Sequence, residues 1–344
     1  MSPSRRPTMS DVARLAGVSV MTVSRALKPE TPVNETTRAR IQAAAEELGY
    51  VLDSTAAGLS SRHSGFVAMT VPSLNNSNFS DTARGLTEGL RGSAFDLLLG
   101  YTNYDLAEEE RLIAAFLRRR PEAIVVTGGA HSTRCRSLLK ASGVPVIETW
   151  DLPEKPIDRV VGFSNAEAGR LMACHLHGQG YRRIGFVGGD SARDTRGADR
   201  CRGFLAALAE LSVCQDRVVS EGTPPLSMSE GAAAMEKLLD RWPDTQAVMC
   251  VSDLSAFGAM SAAQRRGLTV PHDIAICGFG AYDIAEHALP AITTLDMSAE
   301  GIGRKAAEMI IDALGRNGPS TLPHRLEIAY KLVVRGSTAP LLSR

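Results

Sequence analysis

Asp11-Val12-Ala13-Arg14-Leu15-Ala16-Gly17-Val18-Ser19-Val20-Met21-Thr22-Val23-Ser24-Arg25-Ala26-Leu27 is the stretch on which the reading of this 344-residue chain turns. It predicts two short helices joined by a tight turn. Thr8-Met9-Ser10-Asp11 has the form of a capping box, with Asp where Glu or Gln is usual, and Val12, Leu15 and Ala16 then recur at helical spacing. Gly17 ends that helix. Ser19 is an N-cap for a second helix over 20–27, whose Val23, Ala26 and Leu27 form an apolar face, and Pro29 and Pro32 close it. A third begins near Asn34, turns Ile41, Ala44, Ala45 and Leu48 inward and stops at Gly49.

A turn this tight between two helices sets the N-terminal half of the second in reach of a DNA major groove. With Val18, Val23 and Leu27 inward, helical geometry leaves Val20, Met21, Thr22, Ser24 and Arg25 to face the duplex, with Ser19 at the helix start. Arg25 suits a bidentate bond to a guanine edge, and Val20 and Met21 suit thymine methyls. Thr22, Ser24 and Asn34 suit phosphates, which fix register without carrying sequence information. The competing assignment makes Val20 and Met21 core residues, but the inward face is already filled.

The stretch closely resembles the opening of the LacI/GalR repressor family. The likeness continues through Val33-Asn34, Thr37-Arg38 and Ile41 to Glu47-Leu48-Gly49-Tyr50, and then over nearly the whole chain. It implies base contacts at Val20 and Met21. It also implies a hinge helix in Asp53-Ser54-Thr55-Ala56-Ala57-Gly58-Leu59-Ser60, with Ala56 at the DNA and Leu59 as the side chain wedged into the minor groove. Leu52-Asp53 departs from the Pro-Asn usual in the family, and Gly58 lowers helix propensity by about 1 kcal/mol relative to Ala. A plain flexible linker is the alternative for this segment.

From about Gly65 the texture changes. Apolar runs at 65–71, 96–99, 123–126, 144–147, 184–187, 247–251 and 274–279 alternate with helical patterns at 81–91, 108–118, 166–177, 231–239 and 255–265. Such alternation predicts parallel sheets wrapped by helices, with ligands at the carboxyl ends of the strands. The expected architecture is therefore an N-terminal three-helix helix-turn-helix DNA-binding domain at 1–51, a hinge at 52–64, and an α/β core at 65–344. The resemblance implies that this core is two-lobed and like the periplasmic binding proteins, crossed three times by the chain. Its N-lobe takes about 65–163 and 294–325, and its C-lobe about 164–293 and 326–344.

Strand ends and the loops after them supply candidate effector contacts: Ser73 and Phe79, Thr127, Glu148, Trp150 and Asp151 from one lobe, Arg196, Arg200, Asp253 and Asp283 from the other. Trp150 offers an apolar platform and the polar residues offer hydrogen bonds, a combination suited to a small polyol. Two guanidinium forks favour a carboxylate or phosphate over a neutral sugar. Against that stand two bland readings: Arg196 and Arg200 as a solvated helix face, and Glu148 paired with a neighbouring base. Val-Pro-Ser-Leu at 71–74, Pro-Val-Ile-Glu-Thr-Trp-Asp at 145–151, Val-Gly-Phe-Ser-Asn at 161–165 and Gly-Phe-Gly-Ala-Tyr-Asp-Ile-Ala at 278–285 look most like gluconate-utilisation repressors. That likeness implies gluconate or a phosphorylated relative as effector.

Composition narrows the alternatives. The apolar fraction is 44% and the charged fraction 22%, ordinary for a globular protein, and no apolar run approaches the roughly 18 residues of a membrane span. The start lacks the apolar region of a secretory signal, so the expected location is the cytoplasm. Basic and acidic residues balance at 38 each, although 1–64 carries eight of the former against six of the latter. Cysteines 135, 174, 201, 214, 250 and 277 form no C-x-x-C pair, His131 and Cys135 read as an isolated couple, and no metal site or cofactor is expected. Neither a dinucleotide fingerprint nor a Walker motif occurs, and no G-x-S-x-G elbow supports an enzyme. The prediction is a homodimeric, effector-regulated repressor on pseudopalindromic operator DNA, with no membrane partner. A solute-binding protein or sugar-acid enzyme on the same core is the rival.

Overall fold

In a computed structural model, residues 7–27, 31–51, 64–93, 95–315 and 321–340 are described. Contacts divide the chain into two units, Met1–Ser64 and Gly65–Arg344. The hinge expectations at Ala56, Gly58 and Leu59 lie outside the described residues.

The first unit is built from α1 (Met9–Ala16), α2 (Val20–Ala26) and α3 (Glu35–Leu48). The shortened capping box closes: Asp11 Oδ2 accepts from the Thr8 backbone N–H at 2.9 Å and from its hydroxyl at 2.6 Å. Ser19 Oγ accepts from the Thr22 N–H at 3.1 Å. Gly17 and Gly49 end α1 and α3 at φ of 62° and 61°, the left-handed conformation that a Cβ disfavours. Val12, Ala16, Val23, Ala26, Ile41, Ala44 and Ala45 fill the space between the helices. Leu15 departs from the expected stripe and is 47% exposed. At about 100° per residue it falls to the opposite side of Val12 from Ala13 and Ala16, which are buried. The Arg38 guanidinium donates to the Ala26 carbonyl and, at 2.7 Å, to that of Thr31, tying α3 to the end of α2.

The second unit alternates strand and helix: β1 (Phe66–Val71), α4 (Ser77–Gly89), β2 (Asp96–Tyr101), α5 (Leu106–Leu117), β3 (Ala123–Thr127), α6 (Thr133–Ala141), β4 (Val146–Thr149) and β5 (Arg159–Gly162). It continues through α7 (Asn165–Gly178), β6 (Ile184–Gly188), α8 (Thr195–Glu210), β7 (Val218–Ser220), α9 (Met228–Arg241), β8 (Ala247–Cys250), α10 (Asp253–Arg265), β9 (Ala275–Cys277) and α11 (Asp283–His287). Next come β10 (Thr294–Asp296), α12 (Ala299–Ala313), β11 (Arg325–Glu327) and β12 (Lys331–Val333). One parallel sheet runs β11-β5-β4-β3-β1-β2 and a second runs β7-β6-β8-β9, each the centre of a lobe. Antiparallel β10 and β12 form a separate pair. The buried strands are near-continuous apolar runs, as sheets covered on both faces require.

Three helix pairs cross on facing glycines. A Cβ on Gly85 would overlap the Glu300 carbonyl oxygen and one on Gly303 the Thr82 carbonyl oxygen, which brings α4 against α12. Gly169 and Gly203 do the same for α7 and α8, and Gly231 and Gly258 for α9 and α10. The expected strand at 144–147 is displaced to 146–149, and the three- and four-residue strands β5, β7 and β10–β12 were not anticipated because such short runs carry too little period to detect. Helix α8 entered the sequence reading only as a solvated face, and it is the burial of that face that the pattern did not show. Its buried stripe is Arg196, Arg200, Gly203, Phe204 and Ala207, so charged residues occupy positions where the pattern requires apolar ones. Among the described residues no helix is long and apolar enough to cross a membrane.

Candidate functional site

On the first unit, α2 presents Val20 and Met21 outward, 44% and 65% exposed, while Val23 and Ala26 on the other side are buried. Arg25 is exposed and Thr22 and Ser24 are half-buried. The competing assignment of Val20 and Met21 to the core is therefore incompatible with the packing. Ser19 and Asn34 have structural duties: Ser19 caps α2, and Asn34 Oδ1 caps α3 by accepting from the Thr36 N–H at 3.0 Å.

On the second unit, a cavity opens where the strand ends of both lobes converge. It is lined by Asn76, Asn78, Phe79, Tyr104 and Trp150 from one lobe and by Asp194, Arg196, Arg200, Leu226, Ser252, Phe279 and Tyr282 from the other. Phe79 meets Trp150 edge to face at 5.5 Å between ring centroids, and Trp150 meets Phe163 likewise at 5.8 Å. The indole is anchored because its Nε1–H donates to Thr82 Oγ1 at 3.0 Å. Trp150, Tyr104, Asn103 and Ala281 all adopt positive φ, at 66°, 55°, 53° and 54°. Such strained backbone follows β2, β4 and β9 at the cavity end of the sheets, a distribution common at ligand sites.

Arg196 and Arg200 are each only 7% exposed, which removes the solvated-face alternative. The Arg196 guanidinium lies 5.4 Å from the Phe79 centroid and 5.7 Å from that of Tyr104, and the Arg200 guanidinium lies 4.2 Å from Phe279. Arg200 Nη1 donates to Asn165 Oδ1 at 2.6 Å, and its Nη2 is 3.9 Å from Asp194 Oδ2. Arg196 Nη1 and Arg200 Nε are buried without a hydrogen-bond partner among the described residues. Two cations one helical turn apart, each with an unmet N–H, offer a place for an anion. Burial, and after it the Asp194 charge, push the Tyr104 phenol up to about 12, so it stays a neutral donor. Arg193, which lines an adjoining cavity, donates from Nη2 to the Asn103 carbonyl at 2.8 Å.

Other expected contacts fall elsewhere. Thr127 lines an adjoining cavity with Tyr104, Glu109, Asp194 and Arg196, and its hydroxyl donates to the Thr70 carbonyl at 2.9 Å. Ser73 is 2% exposed and accepts from the Asn75 N–H at 3.1 Å. Asp151 accepts from the Gly129 N–H at 3.3 Å, and Asp283 is exposed at the start of α11. Asp253 is fully buried and accepts from Thr294 Oγ1 at 2.7 Å and the Tyr282 N–H at 2.8 Å, so it positions the Tyr282 loop and does not line the cavity. Burial pushes its carboxyl up to about 6 even though those hydrogen bonds pull it down. Tyr104, Asp194, Asn76 and Leu226 were missed by sequence reasoning. The two positive-φ residues after β2 and the break before α8 carried no motif.

Glu148 also turns away from the cavity. It accepts from the Ile157 N–H at 2.5 Å and faces His131 Nε2 at 3.5 Å and Arg136 Nη2 at 3.8 Å. The expectation that His131 and Cys135 are isolated is corrected as well. Glu109 of α5 brings Oε2 to 2.8 Å from His131 Nδ1 and 3.7 Å from Cys135 Sγ. Only the packing of α5 beside α6 makes Glu109 a neighbour, 22 residues before His131. Burial pulls the imidazole pKa down, but hydrogen bonds to Cys135, Glu109 and Glu148 outweigh it and raise the value to about 11.

Residues 8–53 match the family described as bacterial regulatory proteins, lacI family, and residues 173–338 match the periplasmic binding protein-like domain. The HTH-type transcriptional regulator GntR of Pseudomonas aeruginosa is 35% identical over 334 residues, covering 97% of this chain and 96% of that one. A LacI family transcriptional regulator from Silicibacter pomeroyi, seen in a crystal structure, superposes with a TM-score of 0.90 at 33% identity, over 97% of this chain and 99% of its own. The transcription regulator GntR from Chromobacterium violaceum superposes at 0.74 with 30% identity, over 79% and 99%.

Proposed function

The chain belongs to the LacI family of DNA-binding transcription regulators, and from that premise we propose that it represses genes of sugar-acid catabolism as a homodimer on a pseudopalindromic operator. The effector in this reading is gluconate or a phosphorylated derivative, held between the lobes, and its binding changes the affinity for operator. One observation carries the choice of an acid: Arg196 Nη1 and Arg200 Nε are buried at the cavity without a partner among the described residues. A carboxylate or phosphate supplies the acceptors that these N–H groups lack, and Asp194 at 3.9 Å from Arg200 offsets only part of the positive charge. Asn76, Asn78, Ser252 and Tyr104 are available for hydroxyl groups, and Phe79, Trp150 and Phe279 for the carbon face.

On the head, Val20, Met21 and Arg25 are the proposed base-reading residues, with Ser19, Thr22, Ser24 and Asn34 toward the backbone. Exposure of Val20 and Met21 beside an already filled core supports that assignment. Coupling requires that effector bind the DNA-competent and DNA-incompetent states with different affinity. Calorimetric titration with gluconate, 6-phosphogluconate and glucose, with and without an operator duplex, tests the reading. An acid that binds at least tenfold more tightly than glucose, and whose affinity shifts when operator is present, is the expected result. Equal binding of glucose overturns the acid assignment.

A further inference from the structure

We infer that Glu109, His131 and Cys135 form a metal site for zinc or a zinc-like divalent ion, beside the cavity and independent of the effector reading. The three side chains come from the first turn of α5, the segment before α6 and the third residue of α6, and their donor atoms all lie within 4.8 Å of one another. Carboxylate, imidazole and thiolate together match zinc, whereas calcium and magnesium take oxygen ligands. Tetrahedral bonds of about 2.0–2.3 Å set ligand atoms roughly 3.3–3.7 Å apart. The Cys135 Sγ to Glu109 Oε2 separation of 3.7 Å already fits, and the 2.8 Å between Glu109 Oε2 and His131 Nδ1 must open by about half an ångström.

The surroundings have the parts that such a site needs. Glu148 stands behind the imidazole, 3.5 Å from Nε2 on the side away from Glu109, as the outer carboxylate that orients a metal-bound histidine. Glu148 is itself held by the Ile157 N–H. Cys135 and the side chains of His131 and Glu148 are fully buried, and Glu109 is 5% exposed, so no ligand is lost to bulk water. Glu109 also lines the adjoining cavity next to Thr127 and Ala130, which offers an entry path and space at the fourth position.

The test uses the full-length protein. Chain grown with zinc is expected to retain the ion in stoichiometric amount through gel filtration, and chelator-stripped chain is expected to melt at higher temperature when zinc is restored. Cobalt(II) added to stripped chain should give visible bands of a four-coordinate ion and a near-ultraviolet thiolate band. Cys135→Ser should abolish the thiolate band and Glu109→Gln should weaken binding at least tenfold, while Cys174→Ser and Cys214→Ser, both on exposed thiols, should leave it intact. No retained zinc, or a cobalt spectrum unchanged by Cys135→Ser, overturns the site and leaves His131 as an imidazolium between two carboxylates.

Discussion

On α2 the side chains proposed to read DNA stand in water, Val20 44% and Met21 65% exposed, whereas on α8 the arginines proposed to hold the effector are each 7% exposed. The difference follows from what each ligand brings. A duplex carries its own groove and buries the helix face on contact, so the head needs only a rigid helix and a dry opposite side. A small acid brings little surface, so the protein must desolvate its cations beforehand and meet the cost with flanking aromatics and partial counter-charge. Reading residues on the head can therefore change with little effect on folding. Arg200 cannot, because the close crossing of α7 and α8 at Gly169 and Gly203 and its hydrogen bond to Asn165 tie it to the core.

The largest expected effect is on the buried side. Arg196→Ala should weaken gluconate or 6-phosphogluconate binding by about 3 kcal/mol, on the order of a hundredfold in Kd by titration calorimetry. Its operator affinity without effector should stay within about twofold, and a matching loss there would erase the distinction between the two regions.

Next comes Asp253, the buried carboxylate behind the Tyr282 loop. Its folded pKa of about 6 lies above the usual 3.8, so its contribution to stability is complete below pH 4 and is lost as pH rises through 6. Denaturant melts should show wild type losing about 2 kcal/mol relative to Asp253→Asn between pH 4 and pH 7. A difference independent of pH would mean that Asp253 is not buried as described.

Smaller effects belong to the head. Arg25→Ala should cost about 2 kcal/mol at one operator position and relax specificity there, read by competition with base-substituted duplexes, with the melting temperature unchanged. Ser19→Ala should remove the cap of α2 and cost about 1 kcal/mol of head stability, visible as faster amide exchange in α2.

How far the sequence could be read depended on sequence separation. The capping box at Thr8, the stops at Gly17 and Gly49 and the inward Val23 and Ala26 are interactions within about four residues, and all were legible. In the cavity, Phe79, Trp150, Arg196 and Arg200 were named as candidates by strand-end position and do line it. Glu148, Asp151, Asp253 and Asp283 were named by the same rule and do not line it, because proximity to a strand end does not tell which way a side chain points. Tyr104 and Asp194 were missed because their positions depend on a left-handed turn after β2 and on the packing of α8 against α7.

The sequence by itself determined the helix-turn-helix, the β-α alternation and the family, since these rest on local periodicity, capping and a contiguous motif. Only the tertiary structure decided that two arginines are buried in a helix, that Asp253 positions a loop, and that Glu109 meets His131 and Cys135. The physical reason is the same in each case. Burial and pairing come from helix crossings that bring distant residues within a few ångströms, and no spacing along the chain records which residues will meet.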